Sequence, residues 1–338
     1  MKYLIGYIPS EVDAARDILP YVMASEEIDG VEVNFSASEA TEWLDYNISL
    51  AEQLTSMGKV YQVHLPVITQ ESLFVLGQLK DLVPAAGGRI NAVVHHALGQ
   101  SVDEDLVLTV DMLDQIYDYL HKNDLNVDVH LENLNVIGSL DIFPEESHEK
   151  WRPIVGRERI NINRIDEILG KYPSLKLCLD VGHVIADKLD FRLTTLQKER
   201  VGNIHIHDAD ERSDHRRNGS CTDIRLTDAF VKSVFNLENY RGYGVIEVAK
   251  VHLGSSTAES INILEKEIRL IKGKHYSDIV FTDGVKMERD KALEICAICG
   301  ASAGEYHQSY CEQEICPLCG KYLKDCNHME GYHVEISK

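Results

Sequence analysis

Short β-rich runs that alternate with helical patterns predict a (β/α)8 barrel, and paired cysteines near the C-terminus predict a small zinc-binding module beyond it. Three observations carry this. The alternation repeats eight times within residues 1–274, which suits one closed barrel of roughly 250 residues. Hydrophobic residues make up 44% of the chain, enough for one sizeable core. Six of the eight cysteines fall between Cys296 and Cys326, a clustering that fits metal better than scattered disulfides.

The expected strands lie near Tyr3–Tyr7, Val31–Phe35, Val60–Val67, Ala92–His96, Val127–Leu134, Leu175–Asp180, Asn203–His207 and Gly244–Val248. The expected helices are Glu11–Ala24, Ile48–Met57, Gln70–Leu82, Leu106–His121, Ile162–Lys171, Thr194–Arg200, Leu226–Asn236 and Thr257–Ile271. Strict alternation means parallel strands joined by helical crossovers. The irregular stretch Ile137–Asn161 follows strand five and reads as a long active-site loop. After Lys274 the composition shifts: residues 275–338 read as a connector followed by the Cys/His module.

The formal net charge of −21 weighs against nucleic acid, because such affinity comes largely from Lys and Arg neutralising phosphates. No apolar run reaches the ~18 residues of a membrane span. The first residues, Met1-Lys2-Tyr3-Leu4-Ile5-Gly6, read as a strand rather than a signal peptide, so the expected location is the cytoplasm. The expected partner is a small phosphorylated molecule, with no membrane.

Catalytic groups of such barrels gather at the C-terminal ends of the strands. Here six consecutive ends carry metal-ligand types: His64, His95, Glu132, then Asp180 with His183, then His205, then Glu247. Imidazole and carboxylate bind zinc, manganese and iron, and a shared carboxylate can hold two cations ~3.5–4 Å apart. One strand-end histidine is commonly just a satisfied polar residue, and a lone Glu132 could pair with an arginine; six successive ends make coincidence a poor account. His130 and His207 share a face with a proposed ligand and read as its supports or as barrel filling, with His207 kept as a tentative ligand. His96 points away from His95 and reads as structural.

At these residues the chain resembles the xylose-isomerase-like barrel superfamily, including its endonuclease IV branch (AP endonuclease family 2). Leu131-Glu132-Asn133 resembles the L-E-N motif, Asp180-Val181-Gly182-His183 the D-x-x-H motif and His205-Ile206-His207-Asp208 the H-L-N-D motif. The resemblance implies Glu132 as bridging ligand, with Asp180, His183, His205 and Glu247 as further ligands. Isomerases of the superfamily need one metal, and its phosphoesterases add histidines from strands three and four, as His64 and His95 would be. They also add a loop after strand seven, read here as Asp214-His215-Arg216-Arg217-Asn218-Gly219. His215 fits that pattern. The usual loop aspartate position is Ser213, so Asp214 stands in only as a substitute. Strand four departs as well, with His95-His96-Ala97 where the family has H-P-G.

The function these features imply is a metal-dependent hydrolase of a small phosphodiester or nucleotide-like metabolite, with two or three divalent metals (zinc, manganese or iron) activating water. Glu132 and Glu247 would be the catalytic carboxylates, and Arg216 and Arg217 would meet substrate phosphate. The segments Asp17-Ile18-Leu19-Pro20, His64-Leu65-Pro66 and Cys178–His183 are also similar to cobamide-remodelling phosphodiesterases. Three alternatives stand beside this reading. One is a sugar isomerase or epimerase using Glu132 and Glu247 around one metal, for which Glu32 on strand two is a typical residue. The others are an AP endonuclease-like repair enzyme and a non-catalytic binding barrel.

In the tail, Cys296-Ala297-Ile298-Cys299-Gly300 and Cys316-Pro317-Leu318-Cys319-Gly320 form two knuckles whose glycines permit the tight turn around one zinc. His307, Cys311, Cys326 and His328 supply a tentative second set. One or two structural zincs are therefore expected, with oligomerisation through the tail as one use of the module. A segment this short has little core, so metal should supply its stability. Removing residues after about Lys274 should spare metal binding by the barrel, and Cys316→Ser should lower zinc content and melt the tail locally. Zinc analysis with thermal melts checks both; a truncated barrel stripped of metal would overturn the division.

Overall fold

The computed structural model describes residues 1–7, 15–34, 44–66, 69–134, 159–186, 193–207, 240–247, 261–265 and 268. Eight parallel strands close into a barrel in sequential order. They are β1 (Lys2–Tyr7), β2 (Gly30–Asn34), β3 (Val60–His64), β4 (Ile90–His95), β5 (Val127–Glu132), β6 (Lys176–Asp180), β7 (Val201–Ile206) and β8 (Tyr243–Ile246), with β8 pairing back onto β1. All eight expected strands are present, shifted by a few residues at their ends.

The helices between them are α1 (Ala15–Ala24), α2 (Leu44–Ser56), α3 (Thr69–Leu76), α4 (Leu79–Ala85), α5 (Val102–Lys122), α6 (Asp166–Leu169), α7 (Val181–Ala186) and α8 (Thr195–Arg200). The expected helix Gln70–Leu82 is two helices, interrupted at Gly77 and Gln78, where the chain turns through i→i+3 bonds to Phe74 and Val75. The expected helix Ile162–Lys171 reduces to the single turn α6, preceded by turns. The helix α7 falls within the D-x-x-H ligand motif, where no helix is expected from the sequence. The helical expectation Leu226–Asn236 and the tail lie outside the described residues, as do residues 137–158 of the proposed loop. The last residues of that loop belong to the core: Ile160 is buried, and buried Arg159 pairs with Asp105 at 3.4 Å.

Local sequence explains the best-formed helices. Ser101 caps α5 by accepting from the Glu104 N–H at 3.2 Å. Asp103, Glu104 and Asp105 fill its first turn and His121 and Lys122 its last, matching the helix dipole. Thr194 and Gln197 form a reciprocal capping box on α8. Asn47, Leu50, Ala51 and Leu54 line one face of α2, and Met112, Leu113, Ile116 and Leu120 one face of α5.

Period-two alternation sorts the strands. Val31, Val33, Val63, Val94, Leu131, Leu179, Ile204 and Ile206 are buried against the helices. The inward positions are mostly polar, with Glu32, Gln62, Asn91, His130, Asn203 and His205, and the apolar Leu4, Val93 and Val245 lie in register among them. Pairing sets Glu32 beside Gln62, His95 beside Glu132, Glu132 beside Cys178, and Asp180 beside His205. Among the described residues no helix is long and apolar enough to cross a membrane.

His130 fills the interior below the strand ends. Neither ring nitrogen has a hydrogen-bond partner among the described residues. Burial, reinforced by Lys176, pushes its pKa down to about 3. The sign follows from linkage: below the ordinary pKa near 6.5 the unfolded chain takes up a proton that the folded chain refuses. His130 thus costs stability as pH falls from 6.5 towards 3, about 2 kcal/mol at pH 5. His130→Leu should melt at or above the wild type at pH 7, with a gain that grows at pH 5. Thermal melts of chelator-treated protein check this, and an equal gap at both pH values would exclude it.

Candidate metal centre

Each strand end contributes a side chain whose backbone is fixed by pairing. On β3, His64 gives its Nδ1–H to the carbonyl of Leu65 at 3.0 Å, which turns Nε2 towards Glu132 Oε2 at 2.9 Å. On β4, His95 Nε2 lies 3.3 Å from the same oxygen. The two rings stand 4.6 Å apart, and the ring of His205 stacks on His64 at 5.4 Å. Nδ1 of His205 faces Glu247 Oε2 at 3.0 Å, Asp180 Oδ2 at 3.6 Å and Glu132 Oε2 at 3.7 Å. One oxygen of Glu132 is therefore approached by three imidazoles. The other lies 3.3 Å from His183 Nδ1.

The β5–β6 junction is tied by Asn133. Its amide donates to the Asp180 carbonyl at 3.0 Å and its oxygen accepts the Asp180 N–H at 2.9 Å. Asp180 then behaves as a cap for α7, Oδ1 accepting the His183 N–H at 2.6 Å. His183 Nδ1 donates to the Asn133 carbonyl at 2.8 Å. His207 Nε2 lies 2.9 Å from Asp180 Oδ2. Glu247 is steadied by Asn34 Nδ2 at 3.5 Å, and the absence of a side chain at Gly6 leaves room for it: a Cβ there would sit 3.0 Å from Glu247 Cγ.

The electrostatics follow from four buried carboxylates, Glu32, Glu132, Asp180 and Glu247, sharing one cavity with imidazoles. Burial opposes the charge on Glu132, but His95, His205 and His64 overcome it and hold the carboxyl well below the usual range. Asp180 is likewise held low, burial being outweighed by His183, His207 and His205. Burial pulls His64 down, yet the hydrogen bond and charge of Glu132 raise it overall. His205 is raised well above 6.5 because Cys178, Glu247, Glu32 and Glu132 outweigh its burial. Burial prevails at His95, which falls to about 3 despite Glu132. His95 is a neutral imidazole at physiological pH.

The residues present suit divalent cations. Four sets, each with its ligand atoms within 4.8 Å of one another, occur here: Glu32, His64, His205 and Glu247; His64, His95 and Glu132; Glu132, Cys178 and His205; and Asp180, His183 and His207. Nδ1 of His205 and Nδ1 of His95 lack an aligned hydrogen-bond partner among the described residues, as a nitrogen with a lone pair for a ligand would. A buried group of this acidity without counter-cations is costly.

Of the eight ligands expected from sequence, seven converge: His64, His95, Glu132, Asp180, His183, His205 and Glu247. His215 lies outside the described residues, together with Asp214, Arg216 and Arg217. So do all the tail candidates: Cys296, Cys299, His307, Cys311, Cys316, Cys319, Cys326 and His328. His96 sits outside the barrel, with Nδ1 donating to the Ala97 carbonyl at 3.0 Å. His207 supports Asp180 and joins the cluster, while His130 is filling. Glu32, expected at most in a sugar-binding role, lies fully buried beneath His205. A polar residue between Val31 and Val33 on an inward position was the available signal. Cys178 was read only as part of a motif, though Glu132 and His205 flank it.

No family model and no curated protein sequence matches this chain. Solved structures do. A xylose isomerase domain protein from Alicyclobacillus acidocaldarius subsp. acidocaldarius is 15% identical over 80% of this chain and 98% of its own, with a TM-score of 0.53. The IolI protein with a bound zinc atom is 16% identical over 82% of this chain and 100% of its own, TM-score 0.58. A fusion of a xylose isomerase-like TIM barrel with 4-hydroxyphenylpyruvate dioxygenase is 15% identical over 85% of this chain and 46% of its own, TM-score 0.55. The chain therefore has the fold of the xylose isomerase-like TIM barrels.

Gly182 is a sharp test of this geometry. A Cβ there would lie 1.9 Å from Cε1 of His207, inside the ring. Gly182→Ala should push His207 off Asp180 and destabilise the fold by about 1–3 kcal/mol, the usual cost of overpacking. Denaturant melts of wild type and variant check this; equal midpoints would mean the ring is not held there.

Proposed function

We propose that this chain is a metal-dependent phosphoester hydrolase acting on a small phosphorylated or nucleotide-like metabolite. The observation that carries the reading is that Glu132 faces His64 and His95 through Oε2 and His183 through Oε1. A one-metal isomerase would employ Glu132, Asp180, His205 and Glu247 and leave His64 and His95 without a task. Two ligand groups that meet at one carboxylate favour two cations.

Bound divalent cations would supply an acidified water and positive charge for a phosphoryl group. The protein's own contributions are orientation and charge. Glu132 spans the two ligand groups. His64 is locked by the Leu65 carbonyl so that Nε2 faces inward, and neutral His95 offers a lone pair beside it. Asn133 and the start of α7 fix Asp180, and Asn34 steadies Glu247. In this reading His215, with Asp214, adds a third group of ligands and Arg216 and Arg217 meet phosphate, as the family resemblance implies. The net charge of −21 favours a small substrate over a polynucleotide.

Full-length protein loaded with Zn²⁺ or Mn²⁺ should hydrolyse bis(p-nitrophenyl) phosphate, and Glu132→Gln should lower that rate at least ~10²-fold while preserving the fold. A double variant, His64→Asn with His95→Asn, should lose one ion per chain. Unchanged metal content there, with epimerisation of a ketose and no phosphodiester turnover, would establish the isomerase instead. A barrel that takes up no metal would point to a binding role.

A further inference from the structure

We propose that Glu32 is a positioning residue that dictates which nitrogen of His205 binds metal, directing Nδ1 into the ligand cluster. The proposal rests on the metal-centre reading above and concerns a residue behind it. Glu32 sits on β2 with no solvent exposure, the inward residue between Val31 and Val33. Its Oε1 lies 3.0 Å from Nε2 of His205, in ion-pair contact. Its Oε2 accepts from Gln62 Nε2 at 2.5 Å and from Asn203 Nδ2 at 3.0 Å, and Gln62 Oε1 accepts in turn from Asn91 Nδ2 at 3.2 Å. Four strands, β2, β3, β4 and β7, thus fix one carboxylate beneath one imidazole.

The consequence is chemical. Oε1 lies 3.0 Å from His205 Nε2 and has no aligned hydrogen-bond partner among the described residues, so it is the acceptor left for that ring and the proton of the pair belongs on Nε2. The Asn203 amide lies 3.4 Å from the same ring nitrogen but has the closer acceptor in Glu32 Oε2. With Nε2 protonated, the lone pair of the neutral ring is on Nδ1, the atom that faces Glu247, Asp180 and Glu132. A carboxylate behind a metal-binding histidine also raises its basicity, and removing such a partner typically weakens metal binding 10–100-fold.

The test uses full-length protein labelled with ¹⁵N-histidine and loaded with Zn²⁺. Long-range ¹H–¹⁵N spectra, assigned by the signal lost in His205→Asn, should show His205 protonated at Nε2 with Nδ1 bound to zinc. Zinc on Nε2 with a proton on Nδ1 would overturn the proposal while leaving the metal centre intact. A chain that binds no barrel zinc at all would sink both. In Glu32→Gln, chelator competition should show one zinc ion weakened about 10–100-fold, with the ion at His64 and His95 unchanged. Equal affinities in a folded variant would refute the role, and if the variant fails to fold, the wild-type spectrum still decides.

Discussion

The negative charge of Glu132 is the constraint around which the strand ends are arranged. A carboxylate at 1% exposure is tolerated only with compensating charge or hydrogen bonds. Among the described residues, backbone donors do not supply it; imidazoles from β3, β4 and β7 do, together with His183 at the start of α7. Those rings must then be held in turn. The Leu65 carbonyl holds His64, the Asn133 carbonyl holds His183, and Glu32 underlies His205. In the metal-free protein, the raised affinity of His64 and His205 for protons does part of the compensating. Cations would replace those protons, so folding charge and binding charge are the same charge.

The strands were legible because the signal that forms them is local. Alternation of valine, leucine and isoleucine with polar residues needs no partner to be recognised, and the inward set of ligands follows from the same period of two. The strand-end ligands were legible for the same reason, and seven of them do meet. Helix ends were less so. Gly77 and Gln78 divide α3 from α4 through two i→i+3 turns, which an unbroken apolar pattern across Gln70–Leu82 conceals. The helix α7 is short, and its start is set by the Asp180 side chain, a residue already assigned to metal.

Roles that depend on a residue from a distant strand were not legible. Glu32 and His205 are far apart in sequence, and the register that aligns Glu32 with Gln62 and Asn203 with Cys178 exists only once the barrel closes. Gly182 carries the same lesson. In sequence it is a spacer between Asp180 and His183; in the fold its missing Cβ leaves the room in which His207 reaches Asp180. Residue types alone placed His130 and His207 together as supporting histidines. The structure separates them by what each nitrogen touches: His207 has a carboxylate, and His130 has no hydrogen-bond partner among the described residues.

The interior of this barrel departs from the usual filling of branched aliphatics. From the N-terminal end of the strands upward it runs through Asp128 with Lys176 and Arg89, then Asn91, Gln62, Glu32 and Asn203, and finally the ligand cluster. Apart from Leu4, Val93, Cys178 and Val245 on the same face, such a core gains little from transfer out of water. The aliphatic layer between strands and helices must therefore provide most of the stability, and it is deep: Leu50, Leu54, Leu113, Ile116, Ile168 and Leu169 are all essentially inaccessible. The arrangement divides labour between the two faces of one sheet. Outward side chains hold the barrel together irrespective of what happens inside, and that independence is what allows the inward face to carry four buried carboxylates aimed at one another.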